Sequence, residues 1–127
     1  MIRPSTRLAL VAAAALLAVA ACDNESPSNP SEPPCATITI AANAVSPNAV
    51  TVSPGCRVAF VNNDSRNHDM ASEPHPEHTD CPGINSVGVL TPGRSGETGN
   101  LNVVRTCGFH DHLQDQLASM KGTITIR

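Results

Sequence analysis

The chain of 127 residues carries its densest run of metal-ligating side chains near the carboxy terminus, in Cys107-Gly108-Phe109-His110-Asp111-His112. Met120 opens the stretch Met-Lys-Gly-Thr-Ile-Thr-Ile at 120–126, and His68 lies upstream, after Asn62-Asn63-Asp64-Ser65-Arg66-Asn67. One thiolate, two imidazoles and a weak thioether are the donors of a blue, electron-transferring copper site, in which three strong ligands lie in a plane and methionine sits at a long axial distance. Soft sulfur suits the reduced ion and imidazole the oxidised one, so both held in a single geometry let copper change charge with little rearrangement.

Such donors need a rigid frame, and the pattern of the chain predicts one. Segments 37–40 and 49–52 alternate polar and apolar residues, 57–61 follows the turn Ser53-Pro54-Gly55, and 87–90 precedes Thr91-Pro92-Gly93. Further strand-like stretches fall at 97–102, 103–107 and 122–126. Period-two alternation with turn residues at this spacing predicts an all-β Greek-key sandwich of about seven to eight strands. The one helical candidate is 113–120, where Leu113, Leu117 and Met120 recur at helical spacing. With two phenylalanines and neither tyrosine nor tryptophan, the core must come mainly from Val, Ile, Leu and Ala. A domain this small buries a modest area and gains from a cross-link or a metal.

The amino terminus reads as an export signal over residues 1–21: Arg3 and Arg7, then an apolar run at 8–21, then small residues before Cys22. That run of 14 residues is short for a membrane span. The order Val19-Ala20-Ala21-Cys22 resembles a bacterial lipobox, which makes Cys22 a lipidated anchor facing the periplasm or the outside of the cell. Residues 22–34, rich in Pro and Ser, then form an extended spacer, and 35–127 the folded domain. Loss of the leader removes two of eight basic residues and none of eleven acidic ones, moving the formal charge from -3 to -5. An acidic domain has no electrostatic reason to bind nucleic acid.

Four cysteines remain once Cys22 is assigned to lipid, and they permit three pairings. The first and third predicted strands can lie side by side in a Greek-key sandwich, which favours a disulfide between Cys35 and Cys56. Cys81 and Cys107 then pair with one another, or leave Cys107 as a thiolate. Asp69, Asp80 and Asp111 read as solvated turn residues.

The ordered set Val58-Ala-Phe-Val-Asn-Asn-Asp64, His68, Leu90-Thr-Pro-Gly93, Cys107-x-x-His110 and Met120-x-Gly-x-Ile-x-Ile resembles the cupredoxins, the plastocyanin and azurin type of small copper protein. It spans about residues 36–126. The resemblance implies one type 1 copper ion held by His68, Cys107, His110 and Met120, with His112 as the alternative to His110. It also implies an electron carrier with redox partner proteins, which the amino terminus would tether to the membrane; one short domain leaves no second copper centre for substrate turnover, so no enzymatic activity is expected, and the chain is expected to be a monomer. Two features depart from the family: nine residues separate His110 from Met120, and an insert brings His75, His78 and Cys81. Those extra residues support a second reading, a copper-handling lipoprotein with a Cys81–Cys107 disulfide and a histidine-rich, non-blue site. His75 and His78 otherwise read as surface loop residues.

Overall fold

A computed structural model of the chain describes residues 32–127; the expected leader, Cys22 and the spacer as far as residue 31 lie outside the described residues. The strands are β1 (Ala36–Ala41), β2 (Ala44–Ser46), β3 (Ala49–Val52), β4 (Val58–Asn62), β5 (His68–Ser72), β6 (Gly88–Leu90), β7 (Ser95–Glu97), β8 (Arg105–Asp111) and β9 (Lys121–Ile126). They form two sheets, β2-β1-β4-β7 and β3-β9-β8-β5-β6, so the all-β sandwich read from the alternation is the architecture observed.

Register follows from which face each residue must bury. Ile38 and Ile40 of β1 are fully buried while the intervening threonines face outward, and Ile124 and Ile126 of β9 repeat the pattern. The two phenylalanines meet edge to face across the interior, Phe60 from one sheet and Phe109 from the other, with ring centroids 5.2 Å apart. β1 runs parallel to β4 with Ala36 opposite Val58, and the Cys35–Cys56 disulfide lies at the start of that pair.

Three local readings differ from the structure. β2 and β5 are strands that the alternation did not mark: β2 is a short hairpin partner of β1, and β5 begins with the polar pair His68-Asp69 yet is almost wholly buried. The expected strand at 97–102 does not form: β7 lies before it and shares only Glu97, and Leu101 makes a single bridge to Cys56. In place of a helix over 113–120 there are two single 3-10 turns, His112–Gln114 and Ala118–Met120, because only Met120 of the apolar spacing finds a core to enter.

Gly122 shows how closely β9 is packed. A Cβ there would lie 2.3 Å from the Asn48 carbonyl oxygen and 2.4 Å from Phe109 Cζ. The Asn48 carbonyl accepts a hydrogen bond from Thr123 N and cannot withdraw without breaking it. Gly122→Ala is expected to destabilise the domain by about 3 kcal/mol, read as a lowered urea midpoint with an unchanged slope.

Candidate metal centre

The pleat of β8 divides its chemistry between two faces. Cys107, Phe109 and Asp111 stand opposite Ile124, Gly122 and Met70 and face the interior, whereas Gly108 and His110 face outward beside Thr123 and Lys121. β8 continues as strand through Asp111, so Cys107 and His110, three positions apart, project to opposite sides. A thiolate at Cys107 and an imidazole at His110 therefore cannot meet on one ion.

Further corrections follow on the inner face. Cys107 is fully buried and bonded to Cys81, so its sulfur is not a thiolate donor. Met120 is fully buried in the hydrophobic core, packed as a core residue rather than offered to a site. His68 is also fully buried, and the group that meets it is the carboxylate of Asp111, 2.7 Å from His68 Nδ1. Asp111, far from being solvated, is fully buried and accepts hydrogen bonds from the backbone N–H groups of Asp69 and Leu113 and from Gln114 Nε2. Asp64 approaches the other ring nitrogen of His68 to 3.4 Å, outside hydrogen-bond alignment. Hydrogen bonds from the N–H groups of Asn43 and Ser65 hold the Asp64 carboxyl below the usual carboxylate range. The four residues of the expected ligand set, His68, Cys107, His110 and Met120, thus do not form a type 1 centre.

The outer face of the same sheet gathers the remaining imidazoles. After β5 the chain crosses over β8 at 73–81, and this crossing brings His75 and His78 above His110 and His112. One ligand nitrogen from each of the four lies within 4.8 Å of all the others. His78 Nε2 and His112 Nδ1 are 3.2 Å apart, and the ring centroids of His75 and His112 are separated by 4.9 Å. His75 is exposed, His78 and His112 are half-buried, and His110 is closed off from solvent.

Backbone and side-chain bonds hold the crossing segment in place. Glu73 N donates to Gly108 O at 3.0 Å, and the Asp80 carboxylate accepts from Gly108 N and pairs with Arg105. Gly108 admits the segment, since a Cβ at that position would meet Glu73 Cγ at 2.7 Å. His78 has a positive φ of 54°, uncommon for a residue with a side chain. Its N–H donates to Pro74 O and its carbonyl accepts from Asn85 Nδ2, which keeps the ring over the strand.

The electrostatics favour a neutral imidazole at His110, ready to donate a lone pair. Burial pushes His110 below the ordinary imidazole range; the charge of Glu73 opposes this, while those of His78, His75 and Lys121 add to it. Glu73 Oε1 lies 3.2 Å from His110 Nδ1 without hydrogen-bond alignment, and Nε2 is buried with no partner at all. A buried ring nitrogen without a partner is costly in an empty pocket and satisfied by a metal. Tetrahedral imidazole ligands stand roughly 3.3 Å apart at a bond length of about 2.0 Å; the His78–His112 pair already has that spacing, and the remaining nitrogens, all within 4.8 Å of one another, have to draw in to share one ion.

His75 and His78 had a weak signal in sequence, the His-x2-His spacing in a proline-bounded insert. Nothing in the sequence marked Asp111 as the partner of His68.

The sandwich is similar to solved cupredoxin structures. A purple cupredoxin from Nitrosopumilus maritimus matches with a TM-score of 0.56 and 19% identity, over 72% of this chain and 99% of that one. The oxidised plastocyanin of Dryopteris crassirhizoma matches with a TM-score of 0.56 and 20% identity over the same shares. Amicyanin from Paracoccus versutus gives a TM-score of 0.58 and 16% identity, over 72% of this chain and 80% of that one. No protein-family model matches the chain, and no curated protein matches it in sequence. At these identities the likeness defines the fold: the chain has the cupredoxin sandwich.

A pH dependence follows from His110. Its proton is held less well in the folded state than in the unfolded chain, where an imidazole titrates at about 6.5. As pH falls below that value the unfolded chain takes up the proton first, so this contribution is present at neutral pH and lost on acidification. Metal-free protein is expected to lose stability between about pH 7 and 5, and His110→Gln to flatten that slope, as measured by urea denaturation across the range.

Proposed function

We propose that this domain is a copper-handling protein that binds one Cu(II) ion through His75, His78, His110 and His112. The observation that carries the reading is the convergence of four imidazoles, among them that of buried His110, neither of whose ring nitrogens has a hydrogen-bond partner. Imidazole nitrogen suits copper, zinc and nickel, and Cu(II) stands highest in affinity among the divalent first-row ions for a given nitrogen site. Such a centre binds oxidised copper without soft sulfur and so favours holding and delivering the metal over passing electrons.

Each part of the chain has a role in this reading. The β8 strand and the turn after it fix His110 and His112, and the crossing segment supplies His75 and His78 from above. Glu73, 3.2 Å from His110 Nδ1, places a carboxylate next to the site. His75, the exposed member, is the ligand through which metal enters and leaves. A blue electron-transfer centre would require a free thiolate at Cys107, which the bond to Cys81 removes. Export, a lipid anchor at Cys22 and the periplasmic or extracellular side complete the proposal, as the amino-terminal sequence implies. Delivery to a partner protein is part of it; catalysis is not.

Titration of the metal-free protein with Cu(II) is expected to produce weak visible absorption, no intense thiolate-to-copper band, and no reactive thiol among the four domain cysteines. His78→Ala or His110→Ala should weaken Cu(II) binding at least about tenfold in competition with a chelator, the scale seen when a ligand-sphere group is removed. An intense blue band together with one free thiol would overturn the reading and restore the electron carrier.

A further inference from the structure

We propose that the Cys81–Cys107 disulfide is a thiol-exchange site whose reduction by a dithiol partner loosens the four-histidine metal centre. The inference rests on the metal reading above. The disulfide ties the end of the crossing segment to β8, three residues from His78 on one side and three from His110 on the other. Apart from the main chain itself, it is the only covalent link, among the described residues, between the two ligand-bearing pieces. The other polar ties are hydrogen bonds and the pairs Arg105–Asp80, His75–Asp115 and Glu73–His110, each with at least one partly exposed partner and so contributing little. Cys35–Cys56 joins the start of β1 to the segment before β4 and touches neither piece.

Both cysteines are buried, Cys107 fully and Cys81 at 7% exposure. Of the two, Cys81 is the one that lines a cleft, of about 330 Å³, with Asp80, Pro82, Leu101, Val103 and Arg105. Val103, on the wall of that cleft, is two-thirds exposed, which gives an incoming partner an apolar surface beside the sulfur. The chemistry that fits is attack by the thiolate of a dithiol protein on Cys81 Sγ. The Cys81–Cys107 bond breaks, a mixed disulfide forms at Cys81, and Cys107 leaves and takes up a proton. The second thiol of the partner then attacks its own sulfur, releasing Cys81 as a thiol. Two electrons and two protons pass from the partner dithiol to this chain, and the partner is left as a disulfide.

Without the staple, the segment that carries His75 and His78 has only non-covalent contacts to hold it over β8, and the metal must bear the cost of ordering it. Linkage makes the effect reciprocal: if the disulfide strengthens metal binding by some factor, bound metal protects the disulfide from reduction by the same factor.

The test poises the purified protein in mixtures of reduced and oxidised glutathione, with and without saturating Zn(II), a redox-inert probe of the same imidazole site. Alkylation and peptide mass mapping then report each disulfide separately. Zn(II) is expected to raise the thiol-to-disulfide ratio needed to reduce Cys81–Cys107 by about tenfold, to leave Cys35–Cys56 unmoved, and to do nothing in His75→Ala/His78→Ala. Cys81→Ala/Cys107→Val, which fills the core and is checked for fold by circular dichroism, should bind Zn(II) about tenfold more weakly. An unshifted Cys81–Cys107 ratio, or equal shifts of both disulfides, would overturn the coupling while the metal site stands. Failure of the oxidised protein to bind Zn(II) or Cu(II) at all would instead remove the metal reading on which it rests.

Discussion

The alternation of β8 is the constraint on which the rest of the molecule depends. A strand places successive side chains on opposite faces, and β8 keeps that rule from Arg105 to Asp111 without a bulge. Cys107, Phe109 and Asp111 are thereby committed to the interior, where one closes a disulfide, one meets Phe60 and one meets His68. His110 is committed to the outside. The same backbone thus builds the core and presents a ligand, and no choice of rotamer can exchange the two tasks.

On the inner side, a buried imidazole and a buried carboxylate stand where the cupredoxin resemblance led us to expect a metal. Removing two polar groups from water is expensive, and the cost is met only when their remaining hydrogen-bonding capacity is used. Asp111 uses it fully: its oxygens serve His68, two backbone N–H groups and Gln114. The arrangement fastens β5 to the turn after β8, which in turn fixes where the outer crossing begins. The interior pair and the exterior histidine cluster are in this way mechanically continuous.

Much of the frame was legible in the chain. Thr-Ile-Thr-Ile at 37–40 and 123–126, the Pro-Gly turns and the Phe60 strand carry strong period-two signals, and the sandwich follows from them. β5 was not legible because its burial is two-sided, so His68-Asp69-Met70-Ala71-Ser72 shows no alternation. The site was harder still. Cys107-x-x-His110 has the spacing of a ligand pair only if the strand ends at the cysteine, and where β8 ends depends on its pairing with β5 and β9 rather than on local residue type. Asp111 looked like a turn residue because aspartate in a turn and aspartate buried against an imidazole have the same local sequence. The histidine insert, by contrast, announced itself by composition, and only the distance between 78 and 112 along the chain concealed that the two belong together.

The carboxylates around the outer cluster bear on how a loaded site would look to its surroundings. Glu73 lies against His110, and Asp115 stands 3.7 Å from His75 Nε2. Lys121, whose charge also reaches His110, offsets part of theirs. A divalent ion bound here without release of a proton makes this face two charges more positive than it is when empty. A docking partner would meet two different electrostatic surfaces on an otherwise unchanged sandwich, which makes charge alone a means of telling the filled protein from the empty one.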